Sequence, residues 1–110
     1  MTNIAYKILT QAQFQQLLAG MFEGAPVDIK DGYIHLSTAA QLDETLAKHF
    51  PGQDDLIIAA IPLAPLGAAL RWETSRNNQL FPHYYGRLAP HHLSASCPLT
   101  RDDTGRARLP

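Results

Sequence analysis

Apolar and polar residues follow two different periods in the first part of the chain. Residues 4–9 alternate at every second position, which predicts a short strand. Thr10 and Gln13 have the spacing of a capping box, so a helix is predicted to begin there. The stripe expected on its buried face consists of four residues at helical spacing: Phe14, Leu17, Leu18 and Met21.

A second strand and a second helix are predicted further along. Residues 23–32 are rich in Gly, Pro and Asp and are predicted to form a loop. Residues 33–37 form a strand whose period of two sends Tyr33, His35 and Ser37 to one face. Thr38 and Gln41 are a second capping box, and the helix that follows has its own buried stripe: Ala39, Leu42, Leu46 and Phe50.

Strands dominate the predicted second half. Residues 56–61 are apolar throughout, which is typical of a central strand covered on both faces. Residues 70–73 are predicted as a strand with Leu70 and Trp72 directed inward. The polar residues 74–79 are predicted as a loop, and residues 93–100 as the last strand. Many strands with two early helices indicate the α+β class.

Length and composition fit one globular domain. The chain has 110 residues, 45% of them apolar and 17% charged, which excludes an intrinsically disordered protein. The domain is expected to span residues 1–100, with residues 101–110 as a flexible tail. Five residues are predicted to be buried in its core: Phe14, Leu42, Leu46, Ile57 and Ile58.

Charge and cysteine content exclude several kinds of partner and compartment. The net charge of −1 offers no field for non-specific binding of nucleic acid. No signal-peptide core is visible, and no apolar run approaches the roughly 18 residues of a membrane span, so no membrane is expected among the partners. Cys97 is the single cysteine and cannot form an intramolecular disulfide. We therefore expect a cytoplasmic protein.

Three groups of residues could carry chemistry, and each also has a purely structural interpretation. His35 and Ser37 share a strand face and could converge on one bound oxygen or phosphate, although they could equally hold a loop and cap a helix. Glu73 follows Trp72, whose apolar side chain could raise its pKa, or it could pair with a neighbouring arginine. A third group could stack on a flat ring or fill a satellite core: His83, Tyr84 and Tyr85.

Two other chemistries are disfavoured. Cys97 has no cationic neighbour in sequence to activate it as a nucleophile. The histidines and Cys97 match no spacing of a known zinc module, so no metal site is predicted.

Three segments carry a further signal when taken together: residues 31–41, the triplet Arg71-Trp72-Glu73, and residues 81–86. In combination they resemble a known bacterial family, the domain-of-unknown-function family 952. Their order and spacing match over roughly residues 4–100. The resemblance implies an ADP-ribosyltransferase-like fold, a split α+β domain with two small antiparallel sheets around an NAD cleft.

The resemblance also implies roles for particular residues. His35 would contact a ribose hydroxyl of NAD, Tyr84 or Tyr85 would stack on nicotinamide, and Glu73 is the nearest candidate for the acid that steadies the transition state. Catalysis would then fall to His35 and Glu73, and the cofactor-binding residues would be Tyr33, His35, Ser37, His83, Tyr84 and Tyr85. NAD is the expected substrate, and the oligomeric state is not predicted.

Three functions are therefore consistent with the sequence. The first is an enzyme, active or degenerate, that binds NAD or an ADP-ribose-like nucleotide. The second is a non-catalytic module that holds a nucleotide in the same cleft. The third is a phosphoesterase of the two-histidine type, because His35-Leu36-Ser37 and His92-Leu93-Ser94 repeat a His-x-Ser pattern.

Overall fold

Two antiparallel three-stranded sheets form the framework of the protein in the computed structural model, which describes residues 2–110. The strands are β1 (Ile4–Thr10), β2 (Ile34–His35), β3 (Leu56–Pro62), β4 (Leu70–Thr74), β5 (Leu80–Tyr84) and β6 (Ala95–Pro98). The first sheet has the order β1-β3-β6 and the second the order β2-β5-β4. The predicted α+β class is confirmed, and β3 is the central strand of its sheet, as its apolar sequence indicates.

Three α-helices accompany the strands: α1 (Gln11–Leu18), α2 (Pro26–Asp31) and α3 (Ala39–His49). Both predicted capping boxes are present, with Thr10 accepting from Gln13 at the start of α1 and Thr38 accepting from Gln41 at the start of α3. Short 3-10 turns at Ala64–Ala69, Arg76–Asn78 and Pro90–His92 complete the regular structure.

Helix α2 corrects the prediction of a loop over residues 23–32. Pro26 occupies its first position, where a missing N–H costs nothing. The Asp28 carboxylate accepts the Ala25 N–H at 2.8 Å, and Gly32 ends the helix with a φ of 86°. Turn-forming residues here build the two ends of a short helix, which is why their composition suggests a loop.

The core lies on both faces of β3. One cluster contains Leu17, Phe22 and Ile57, and the other contains Leu42, Leu46 and Ile58. Four of the five residues expected in the core are buried, and Phe14 is half-buried. Leu18 and Met21 are exposed, contrary to the predicted stripe, because α1 ends at Leu18 and packs mainly through Leu17.

Trp72 also departs from its predicted position. Its side chain is 40% exposed, although an inward orientation is predicted for it. It belongs to β4, an edge strand of the second sheet, and lines an open groove with Ile4 and Leu63. Alternation along a strand identifies the shared face correctly, but it cannot show that nothing covers that face at the sheet edge.

Residues 101–110, expected to form a flexible tail, fold back onto α3. Arg101 and Ala107 form an antiparallel bridge, and the Ala107 N–H donates to the Asp43 carboxylate at 2.8 Å. Ala107 also packs against the cluster that contains Leu46. The last strand is shorter than predicted, because regular pairing with β3 covers only Ala95–Pro98.

Candidate functional site

The two sheets meet where β2 runs past β1 and β5. Tyr6 and Ser37 exchange backbone hydrogen bonds at 2.8 and 3.0 Å, which ties the end of β2 to the first sheet. Within the second sheet, His35 and His83 are directly opposed partners of β2 and β5. Cross-strand partners project to the same face of a sheet, and the centroids of the two imidazole rings lie 5.5 Å apart.

Asp28 is the buried hub that holds His35. Its carboxylate accepts hydrogen bonds from His35 Nδ1 at 2.7 Å, from the His35 backbone N–H at 3.0 Å and from the Ala25 N–H at 2.8 Å. It also pairs with Lys7 Nζ at 2.8 Å. Burial by itself would raise the pKa of Asp28, but the hydrogen bonds from His35 and the charge of Lys7 outweigh it and lower that pKa to about 2.

Lys7 is itself buried, which is unusual for a lysine. Its Nζ donates to Asp28 and to the His35 carbonyl oxygen at 3.0 Å. Burial lowers the pKa of Lys7, and the negative charge of Asp28 partly offsets that effect. Lys7 therefore neutralises Asp28 and fixes the strand that carries His35.

These contacts define which nitrogen of His35 faces outward. An ionised carboxylate only accepts, so Nδ1 carries the proton that is donated to Asp28. Nε2 lies 3.0 Å from Asp31 Oδ2, and the His35 side chain is 29% exposed. Nε2 therefore also donates to a carboxylate, that of the accessible Asp31, and both residues line a cleft.

His83 has a similar anchor on the opposite strand. Its Nδ1 lies 2.8 Å from Glu73 Oε1, which also accepts the Tyr85 hydroxyl at 2.8 Å. These two hydrogen bonds lower the pKa of Glu73. The hydrogen bond between Tyr85 and Glu73 also raises the pKa of Tyr85. The Tyr33 ring stacks on His83 with 4.1 Å between centroids.

A cleft of about 480 Å³ lies beside the two imidazoles, within the range of small-molecule sites. Its walls come from β1, β2 and β5, from both ends of α2, and from α3. The polar residues that line it include His35, His83, Asp31, Ser37, Thr45 and Arg76.

Ser37 and Thr45 have their hydroxyl protons engaged. Thr45 Oγ1 donates to the Gln41 carbonyl oxygen at 3.0 Å, so its contact with Ser37 Oγ at 3.0 Å uses the proton of Ser37. Thr45 Oγ1 also accepts Arg76 Nη2 at 3.0 Å. Ser37 can therefore accept from a ligand, but its proton is already donated.

Arg76 supplies the cation at the α3 side of the cleft. Its guanidinium stacks 4.9 Å from the centroid of the Phe81 ring and pairs through Nε with Glu44 at 3.1 Å. The pKa of nearby His49 is lowered, first by burial and then by the charge of Arg76. A guanidinium held over an aromatic ring can still donate to phosphate or carboxylate oxygens.

The structure brings together only part of the set of residues predicted as a site. His35, Ser37 and His83 line the cleft. Tyr33 stacks on His83, and Glu73 and Tyr85 reach that ring through the Glu73 carboxylate, but these three are not among the lining residues. Tyr84 is buried in the core, so it does not reach a ligand in this cleft.

His92 does not share the cleft with His35. It belongs to the turn Pro90–His92, its Nδ1 accepts the Ala89 N–H at 2.9 Å, and its ring contacts Tyr84 edge-on. The pairing of His35 with His92 in a two-histidine phosphoesterase is therefore wrong in its geometry. The imidazole beside His35 belongs to His83.

Three residues of this region were not predicted from the sequence to belong to the site: Asp28, Lys7 and Arg76. Asp28 and Arg76 lie in segments expected to be loops. Lys7 could have been found, because its neighbours on the same strand face, Ala5 and Leu9, are both apolar. A lysine between two inward-facing residues signals a buried charge that needs a partner.

Two small antiparallel sheets, flanked by helices and joined beside a histidine-lined cleft, define a compact α+β domain. The family described as "Protein of unknown function (DUF952)" matches residues 8–95, and the chain belongs to this family.

Solved structures of one bacterial protein are similar to the chain. A crystal structure of protein CC0527 from Caulobacter crescentus shares 42% identity, covers 96% of this chain and 94% of that one, and has a TM-score of 0.86. A solution NMR structure of CC0527 shares 42% identity over 96% and 92% of the two chains, with a TM-score of 0.80. A search of the curated proteins finds no match. Within residues 2–110, no helix is long and apolar enough to cross a membrane.

The free energy of unfolding at acidic pH should reveal the lowered pKa of Asp28. The pKa of Asp28 in the folded protein is about 2, below its ordinary value of 3.8. The ionised carboxylate therefore contributes its full stabilising free energy above about pH 5, and this contribution is lost as the pH falls toward 2. The difference in unfolding free energy between wild type and Asp28→Asn should shrink by about 2 kcal/mol over that range. Urea unfolding at several pH values measures it, and a constant difference would contradict the assignment.

Proposed function

We propose that the cleft binds a small nucleotide of the NAD or ADP-ribose type through its ribose and phosphate groups. The observation that carries the proposal is the arrangement of His35 Nε2 beside the Asp31 carboxylate at the cleft mouth. The split pair of sheets beside this cleft also suits the fold that the family resemblance implies.

His35 and Asp31 suit a ribose. An acidic side chain accepts from sugar hydroxyls in nucleotide sites, and a neighbouring imidazole can accept from or donate to the adjacent hydroxyl. Asp28 fixes the orientation of the ring, so little ordering is needed when a sugar binds.

Arg76 suits a phosphate. Nε contacts Glu44 and one Nη2 proton is donated to Thr45, which leaves further guanidinium N–H groups for an anion. A nucleotide in the cleft would extend from the ribose position at His35 toward Arg76. The volume of about 480 Å³ is adequate for a sugar phosphate.

Glu73 bears on whether binding leads to ADP-ribosyl transfer. Its Oε1 is engaged by His83 and Tyr85, so its contact with the cleft is through the His83 ring. This placement favours nucleotide binding without ADP-ribosyl transfer over a transferase in which Glu73 touches the reacting atoms. Release of nicotinamide from NAD, and its loss in Glu73→Gln, would reverse this preference.

The binding prediction concerns two histidines. His35→Ala removes the ring that faces the sugar and leaves ligand hydroxyls unpaired, so affinity should fall by roughly 10-fold to 100-fold, which is about 1–3 kcal/mol. His92→Ala should leave affinity unchanged, because His92 does not line the cleft. Isothermal titration with ADP-ribose and with NAD measures both.

His92→Ala is the matched control, since it removes the same side chain from a position with its own local contacts. Equal losses in the two variants would contradict the proposed site. Wild-type protein that binds neither ADP-ribose nor NAD would contradict the proposed function itself.

A further inference from the structure

We infer that His83 as general base and His35 as general acid form a pair that cleaves a ribose 3′-phosphodiester next to a free 2′-hydroxyl. The inference rests on the proposed function, because it places a ribose at His35. It goes beyond binding, because it assigns the cleft a phosphodiester-cleaving activity. The two rings are opposed partners on β2 and β5, 5.5 Å apart, and both line the cleft.

Each imidazole is prepared in the same way for proton transfer. Asp28 lies 2.7 Å from Nδ1 of His35, and Glu73 lies 2.8 Å from Nδ1 of His83. A carboxylate at Nδ1 fixes the tautomer and stabilises the imidazolium, so Nε2 becomes the nitrogen that exchanges a proton with substrate. The pair therefore has two oriented Nε2 atoms and two stabilising carboxylates.

His83 is buried as a residue, yet its Nε2 is open to the cleft. Within residues 2–110 every fully buried side-chain nitrogen or oxygen has a hydrogen-bond partner. The hydrogen bond of the His83 ring is made by Nδ1, on the side of Glu73. Nε2 is on the opposite side of the ring, toward the cleft that His83 lines.

The other lining side chains favour a substrate that carries its own nucleophile. Ser37 donates its hydroxyl proton to Thr45 Oγ1, and Thr45 donates its own to the Gln41 carbonyl oxygen. Lys7 is paired with Asp28. A ribose 3′-phosphodiester supplies its own nucleophile as the adjacent 2′-hydroxyl, which needs a base and an acid from the protein.

The step balances without another reactant. His83 Nε2 takes the proton of the 2′-hydroxyl while the 2′-oxygen forms a bond to phosphorus. The bond from phosphorus to the 5′-oxygen of the leaving nucleoside breaks, and the His35 imidazolium gives its Nε2 proton to that oxygen. The products are a 2′,3′-cyclic phosphate and a free 5′-hydroxyl, and solvent returns the two histidines to their starting protonation.

His35 is assigned as the acid because carboxylates lie at both of its nitrogens. Asp28 lies 2.7 Å from Nδ1 and Asp31 lies 3.0 Å from Nε2, and since a carboxylate only accepts, both nitrogens carry a proton. The hydrogen bond of the His83 ring is made by Nδ1, so Nε2 of His83 is available as the base. Arg76, at the α3 side of the cleft, can neutralise the negative charge on the phosphoryl oxygens.

The test uses adenylyl-adenosine, a ribodinucleoside monophosphate, and follows the cyclic phosphate by phosphorus NMR. Wild type should form the product, and the analogue without the 2′-hydroxyl should be stable. His35→Ala and His83→Gln should each lower the rate by about 10²-fold to 10⁴-fold, whereas His92→Ala should retain it. All variants are prepared identically, and their thermal melting is compared with wild type.

Glu73→Gln gives a second test in which the His83 ring is kept. The rate should follow a bell-shaped pH profile in wild type, and this variant should move the limb due to the base. The charged and titratable groups around the two rings are Lys7, Asp28, Asp31, Tyr33, His49, Arg71, Glu73 and Tyr85.

The outcomes separate the inference from the proposed function. Titration of wild type with the analogue without the 2′-hydroxyl measures binding alone. Binding without cleavage of the ribose compound overturns the acid–base pair and leaves the nucleotide site intact. Absence of binding overturns both. Cleavage that is lost equally in His92→Ala, or unchanged in folded His83→Gln, would also overturn the pair.

Discussion

Replacing Asp28 with alanine is expected to lower the free energy of unfolding by about 3–5 kcal/mol. The change leaves the buried ammonium of Lys7 without its counter-charge. It also removes the acceptor for the backbone N–H groups of Ala25 and His35, at the start of α2 and in β2. Urea denaturation at neutral pH measures the loss.

Two variants control for this effect. Asp31→Ala removes an accessible carboxylate that also faces His35, and it should cost less than about 1 kcal/mol. Lys7→Met in an Asp28→Asn background removes both charges but keeps an amide that can accept from the backbone, so part of the stability should return. A loss of less than 1 kcal/mol in Asp28→Ala would show that Asp28 is not the hub.

Leu46→Ala should cost about 2–5 kcal/mol, the usual range for a leucine truncated in a core. Leu46 is 1% exposed and packs in the cluster that α3 forms with β1 and β3. The matched control is Leu18→Ala, which truncates a 51% exposed leucine on α1 and should change stability by less than about 0.5 kcal/mol. Similar small changes in both variants would contradict the packing of α3.

Local signals predicted the main elements. The two capping boxes fix where α1 and α3 begin, and the apolar run over residues 56–61 identifies β3, because only a central strand is covered on both faces. These features depend on residues that are close together in sequence. They can therefore be recognised without knowledge of tertiary contacts.

Tertiary contacts explain what the sequence did not reveal. Helix α2 is only six residues long. The Asp28 side chain, which accepts the N–H of Ala25 at the start of this helix, is also paired with Lys7, 21 positions earlier in the chain. An isolated helix of that length is marginal, so composition gives no signal for it. Trp72 shows the same limit, since its exposure depends on the edge position of β4.

The alternation of side chains along a strand predicts part of the candidate site. Alternation places His35 and Ser37 on one face, and both line the cleft. The same rule separates Tyr84 from His83 and Tyr85, so Tyr84 could have been assigned to the core once His83 faced the cleft. The opposition of His35 and His83 depends on the pairing of β2 with β5, which sequence alone does not provide.

A crystal of the protein soaked with ADP-ribose tests the central claim most directly. We expect electron density in the cleft, with a ribose hydroxyl within hydrogen-bond distance of His35 Nε2 and Asp31 and a phosphate near Arg76. Density at the groove beside Trp72 instead, or ligand in the cleft with no contact to His35, would contradict it.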